Sequence, residues 1–441
     1  MITNFVKSNE LRKKAHKIIP AGAHTYTKGD DQFPELSPGF IVKGKGARIW
    51  DVDGNEFVDW GMGLTSGVLG HAYDPLIEAI KKELDNGCNF IRPSYIEAEV
   101  AELMVEQIPS AEMVKFAKNG SDGTTAAVKL SRAYTGKDIV LRCFDQPFFS
   151  VHDWFMGNTV VDAGIPESTK SLTKNFRYND IEDLKKVIDE NKNQGIACVI
   201  MEPAATEEPK EGYLQAVKDL CEANNIILIF DEVISGFRFH PKGAQFLYEV
   251  TPHLSTFGKA MANGFSVSAV VGKKELMELG GIQHDKERVF LLSTTYGGET
   301  HHLRAAQKTI ELLNQNDYEV TKHIWATGKK LKDSFNELAA KFGISQYMRI
   351  EGIDCRPQFV FLDKDGNLDM VLRTLFLQEM IKHGVMMQLV VPSFSHRESE
   401  ITQTLEAFDN TLKVLQYAIE NNKIRELLIG NPVKPVFRNY N

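Results

Sequence analysis

Five apolar residues in succession, Ile226, Ile227, Leu228, Ile229 and Phe230, lead directly into Asp231-Glu232. A run without polar alternation suits a strand buried on both faces, and such strands belong to parallel sheets covered by helices on each side. Short, mainly apolar runs at Met113 to Ala117, Ile139 to Cys143 and Ile196 to Met201 are strand-like as well. Between them lie helical periods: Leu76, Ile77, Ile80 and Leu84; Val100, Leu103 and Met104; Ala126 to Tyr134; Ile181 to Ile188; and Leu214 to Glu222. This alternation predicts an α/β fold on a large, mainly parallel sheet. Beyond Tyr296-Gly297-Gly298 the pattern changes to long helices, about Thr300 to Asn314 and Val320 to Phe342. Strand-like Met348 to Ile353 and Gln358 to Leu362, a turn at Asp365-Gly366, and helices near Met370 to His383 and Glu400 to Glu420 follow. A smaller α+β unit is expected there.

The formal charge of −8 gives no basic footprint, so nucleic acid is not an expected partner. The five cysteines, Cys88, Cys143, Cys198, Cys221 and Cys355, are widely separated and have no paired metal spacing. They read as reduced thiols of a cytoplasmic protein, and no metal site is expected. Glu10 interrupts the early basic residues with no signal-length apolar core after them, and no apolar stretch approaches the ~20 residues that cross a bilayer. A small molecule is the expected partner, without a membrane.

Lys259, in Ser255-Thr256-Phe257-Gly258-Lys259, follows Asp231 by 259 − 231 = 28 residues. A carboxylate ending a buried strand, with an amine in a later turn, suits pyridoxal phosphate: the amine condenses with the aldehyde, and the carboxylate keeps the ring nitrogen protonated so that the ring accepts electrons. Each residue alone also has a plainer reading, Lys259 as a surface lysine and Asp231 as a cap or ion-pair partner. Asn119-Gly120-Ser121-Asp122-Gly123, between a strand and a helix, reads by itself as a helix start capped by Asp122, and in its order before Asp231 and Lys259 as an anion seat.

Taken together, these segments resemble the class III aminotransferases, pyridoxal phosphate enzymes of fold type I, and within them the glutamate-1-semialdehyde aminomutase-like branch. The resemblance runs over nearly the whole chain. It includes Trp50-Asp51-Val52-Asp53-Gly54, Leu69-Gly70-His71, Met201-Glu202-Pro203, Asp231 to Arg238 and Thr294-Thr295-Tyr296-Gly297-Gly298. It implies a large cofactor-binding domain over 61–310, a small C-terminal domain over 311–441, and an N-terminal segment 1–60 joining the small domain. It further implies that Lys259 and Asp231 are catalytic, that Val233 packs on the ring, and that Gly120 and Ser121 hold the phosphate. Thr295 would reach the phosphate of a partner subunit in a homodimer with shared sites. Phe148 stands where the family has a stacking tyrosine. Glu202, Arg238 and His71 match family positions and read as structural.

The chain departs from the aminomutases near the substrate. Their Ser-Pro-Val-Arg element is replaced by Ala23-His24-Thr25-Tyr26-Thr27-Lys28, and the segment that carries their glutamate is shortened at Val391 to His396. Lysine cannot reproduce arginine's bidentate fork. The expected function is therefore transfer of an amino group from an amino-acid donor, with glutamate a candidate, to a carbonyl acceptor by a ping-pong mechanism. Asp30, Asp31 and Gln32 suggest hydroxyl partners and hence a sugar or polyol carbonyl. The alternatives are a 2,1-aminomutase and, more remotely, a non-catalytic cofactor-binding regulator. Candidate substrate residues are Lys28, Trp154 and Arg356; Trp154 and Arg356 have packing as their plainer role.

Overall fold

A computed structural model describes residues 1–440. Its strands are β1 Ile41–Lys45, β2 Arg48–Asp51, β3 Glu56–Asp59, β4 Met113–Ala117, β5 Ile139–Cys143, β6 Thr173–Phe176, β7 Ile196–Met201, β8 Ile227–Asp231, β9 Leu254–Phe257, β10 Ser268–Gly272, β11 Met348–Glu351, β12 Gln358–Phe361 and β13 Val385–Met386. The chain forms two compact units, one of Met1–Tyr73 with Lys322–Arg438, the other built on Asp74–Thr321.

The contiguous unit holds a seven-stranded sheet in the order β4-β10-β9-β8-β7-β5-β6. The pairs β9–β8, β8–β7, β7–β5 and β5–β6 are parallel, whereas β10 runs antiparallel to both β4 and β9. Every residue of β5, β7, β8 and β10 is buried, which explains the mainly apolar runs of β5, β7 and β8. The helical period read from Ala126 starts earlier than that residue: the helix spans Gly120–Thr135. Asn119 occupies the cap position, not Asp122, whose Oδ2 accepts from the Asn119 amide at 2.9 Å. A capping box lets glycine and hydroxyl residues of weak helix propensity open the helix.

The discontinuous unit is α+β. Its four-stranded sheet, β1-β2-β3-β13, is an antiparallel meander to which β13 adds in parallel, and β11–β12 forms a hairpin. Phe335 centres its core, meeting Phe359, Phe376 and Phe408 edge-on at 5.2, 5.9 and 5.0 Å between ring centres. Beside it Trp60 stacks on buried His396 at 3.8 Å. The His396 Nδ1 accepts from the Ser393 amide at 3.0 Å, and Nε2 donates to the Asp59 carbonyl at 3.1 Å, so the ring is held neutral in one tautomer.

Burial pushes the His396 imidazole from 6.5 down to about 3. The unfolded chain therefore binds a proton below about 6.5 that the folded chain refuses. This contribution to stability is complete above 6.5 and is lost as the pH falls towards 3, by up to about 1.4 kcal/mol per pH unit. Urea unfolding of the wild type and His396→Phe between pH 7 and 4 should show a shallower decline in the variant; parallel slopes would contradict it.

Candidate active site

Asp231 ends β8, and Lys259 follows Phe257, the end of β9, after a single glycine. Because β8 and β9 are parallel neighbours, with Asp231 in register with Thr256, both groups emerge at the carboxyl edge of the sheet, where open α/β sheets hold ligands. Lys259 is half-buried and has φ +44°, a conformation uncommon for a residue with a β-carbon and concentrated at functional sites.

Asp231 is buried. Its Oδ1 accepts from the Val233 amide at 3.0 Å and the Thr256 hydroxyl at 3.1 Å, while Oδ2 accepts no hydrogen bond among the described residues. Burial first, and then the neighbouring Glu202 charge, push its carboxyl up to about 7, against the pull of these donors and of Lys259. Near neutrality the Asp231 carboxyl is thus balanced between its protonated and charged forms. The adjacent Glu232 differs: its oxygens accept from the Ser235 hydroxyl, the Ala244 and Gln245 amides and the Gln245 side chain. It is a structural anchor.

Gly120 begins the helix Gly120–Thr135, whose first-turn amides lack helical acceptors and whose dipole favours an anion. A β-carbon at Gly120 would fall 2.8 Å from Val233 Cγ1, so the absence of a side chain there lets the helix end and the β8 loop close together. Ser121 is buried, with Oγ accepting from the Val151 amide at 3.1 Å and its own proton left to donate. Phe148 is exposed and rests its edge on Phe155 at 5.7 Å between ring centres. Thr295 is exposed, and its carbonyl accepts from Asn89 at 3.2 Å.

The candidate substrate residues fare differently. Trp154 is buried and its indole donates to Thr125 at 2.9 Å, which fits its packing role. Lys28 is exposed in a short turn, and Arg356 is half-buried after β11; both belong to the discontinuous unit. The hydroxyl partners proposed for a sugar are already engaged. Asp30 binds Arg12 at 2.9 Å and His16 at 2.8 Å, Asp31 binds Arg438 at 2.6 Å, and Gln32 donates to the Lys434 carbonyl at 2.9 Å. One cluster was not anticipated: Glu299, His301 and His302 bring ligand atoms within 4.8 Å of one another. The Lys118 ammonium lies 2.5 Å from Glu299 and 2.6 Å from His302, so this charge is met from within the chain.

Residues 31–412 match the aminotransferase class-III family. This chain belongs to that family. It is 32% identical over 418 residues to the 3-aminobutyryl-CoA aminotransferase of Cloacimonas acidaminovorans, covering 92% of this chain and 97% of the relative. It is 31% identical to the glutamate-1-semialdehyde 2,1-aminomutase of Methanocaldococcus jannaschii, covering 94% and 100%. The solved structure of the Sphingopyxis sp. MTA144 FumI protein shares the fold, with TM-score 0.86, 23% identity and coverage of 96% and 100%.

The cofactor of this class-III aminotransferase is pyridoxal phosphate, and the residues present fit it. A helix end with spare amides suits the phosphate, and a buried carboxyl with one unpartnered oxygen suits a ring nitrogen. Gly120→Ala should keep the fold, since alanine favours helix, but weaken cofactor binding at least about tenfold as Val233 is displaced. Titration of the cofactor-free protein by fluorescence quenching is the check; unchanged affinity would remove Gly120 from the seat.

Proposed function

We propose that this protein exchanges an amino group between two molecules, taking it from an amino-acid donor and giving it to a carbonyl acceptor in a ping-pong cycle. The observation that carries the reading is the emergence of Asp231 and Lys259 from adjacent parallel strands at one sheet edge. Bound pyridoxal phosphate supplies an electron sink. Lys259 would provide the amine that holds the cofactor and, in its neutral form, the base that moves the proton at the substrate carbon. Asp231, whose Oδ2 accepts no hydrogen bond among the described residues, would hold the ring nitrogen in its protonated form. Val233 and Phe148 confine the ring, and Gly120 and Ser121 receive the phosphate.

Exchange between two molecules is favoured over a mutase because residues 23–28 carry no arginine and end in the exposed Lys28. Glutamate is a candidate donor; the acceptor is a carbonyl compound of open identity. We also propose a cytoplasmic location, a reading supported by the five free cysteines, four of them buried. No helix among the described residues is long and apolar enough to cross a membrane. We further propose a homodimer in which Thr295 completes the partner's phosphate site. Phe90, Ile91 and Tyr296 are more than half exposed in the Asn89 and Thr295 segments, where a second copy would cover apolar surface.

The absorbance of the bound cofactor should shift when an amino donor is added and return when a carbonyl compound follows. Rapid isomerisation of glutamate 1-semialdehyde with no added donor would overturn the exchange reading. After borohydride reduction, mass spectrometry should find the cofactor on Lys259 and on no lysine in Lys259→Ala. Asp231→Asn should retain cofactor yet lose turnover about a hundredfold or more; near-normal turnover would sink the proposed ring-nitrogen role. Cofactor affinity should fall on dilution below the dimer dissociation constant, and a fully loaded monomer would refute the shared site.

A further inference from the structure

Glu299, His301 and His302 stand at the start of the helix Thr300–Leu313, in the same unit as Lys118, which follows the end of β4. The Lys118 ammonium is shared between Glu299 Oε2 at 2.5 Å and His302 Nδ1 at 2.6 Å, and those two acceptors lie 3.2 Å apart. An ammonium only donates, so the His302 Nδ1 turns its lone pair inward and the imidazole is neutral. The His301 ring lies beside it, with ring centres 4.0 Å apart, and brings a nitrogen within 4.8 Å of both acceptors. Its Nδ1 is buried and has no hydrogen-bond partner. A buried ring nitrogen without a partner, next to two lone pairs that already face a cation, is an unused ligand.

One carboxylate and two imidazoles are a donor set that suits zinc and its neighbours better than magnesium or calcium. Metal–ligand bonds of about 2.0–2.1 Å, at coordination angles of roughly 90 to 110°, set ligand atoms about 2.9 to 3.4 Å apart. The separation of Glu299 Oε2 and His302 Nδ1, 3.2 Å, falls in that range, with the ammonium where the metal would sit. Lys118, Glu299 and His302 are each partly exposed, which gives the ammonium a way out and a cation a way in. We propose that Glu299, His301 and His302 form a binding site for a divalent transition cation of the zinc class, with Lys118 as the internal cation that the metal displaces. Glu299 and His302 already hold their ligand atoms at the required spacing; His301 turns its ring to become the third ligand, and water fills the remaining positions. The lysine keeps its proton and swings into solvent on its four-carbon stem. The metal then replaces the ion pair that joins the end of β4 to the helix Thr300–Leu313, one residue before Asn119. None of this depends on which amino groups are exchanged.

The probe is zinc chloride, titrated calorimetrically into the pyridoxal phosphate holoenzyme, with magnesium chloride as competitor. Wild type should bind zinc, and magnesium should not displace it, because a hard cation gains little from imidazole. His301→Ala and His302→Ala should each weaken zinc about a hundredfold or more. Lys118→Met should do the reverse and tighten zinc at least about tenfold, since the competing charge is gone. A gain of affinity cannot come from damage to the fold, so the opposite signs separate ligand loss from misfolding. Cys88 is the exposed thiol to exclude, because its carbonyl accepts from the Thr300 amide at 3.0 Å. Cys88→Ser should leave zinc affinity unchanged. The site is overturned if wild type binds no zinc, if only Lys118→Met binds it, or if magnesium competes equally. Zinc binding that survives in both histidine variants, or that Cys88→Ser abolishes, overturns the ligand assignment.

Discussion

The site depends on keeping one carboxyl group dry. Asp231 lies at the end of a strand flanked by β7 and β9, so water cannot stabilise its charge, and its two short donors relieve only part of that cost. A group so placed has a use for a cationic ring partner, and the interior becomes selective for a heterocycle that can accept its proton. Glu232, one residue later, is buried as deeply but surrounded by donors. Two adjacent acids thus have separate roles because one points towards a loop rich in amides and the other towards the sheet edge.

Much of the large sheet was legible because strands buried on both faces leave apolar runs; β5, β7 and β8 coincide within a residue with the runs in the sequence, as does the edge strand β4, of which only Ala117 is buried. The long helices Thr300–Leu313, Glu319–Lys341 and Glu398–Glu420 were legible through their 3.6-residue period. By contrast β9 and β10, of small and hydroxyl residues such as Ser255, Thr256 and Ser268, lack apolar contrast although fully buried. The meander β1–β3 was visible only through the segment Trp50-Asp51-Val52-Asp53-Gly54. There Asp51 Oδ1 accepts from the Asp53 and Asn55 amides, a local device that sequence signals better than its flanking strands.

The spacing of Asp231 and Lys259 was readable because both lie at strand ends in one unit. The meeting of Lys118 with Glu299 and His302 was not, since 299 − 118 = 181 and 302 − 118 = 184 residues separate them. Nor could the engagement of Asp30 by Arg12 and His16, or of Asp31 by Arg438, be foreseen: those contacts need the folded path of both ends of the unit.

That path has a consequence for synthesis. Val58 on β3 pairs with Val385 on β13, so 385 − 58 = 327 residues must be made between the two halves of one sheet. At about 5–20 residues per second this is roughly 16 to 65 s, during which β3 has an open edge while the contiguous unit can already collapse. The nascent chain therefore carries an unfinished sheet behind a finished one. Rapid folding of the middle segment gives no protection to the first, making the N-terminal meander the part of the protein most in need of a chaperone.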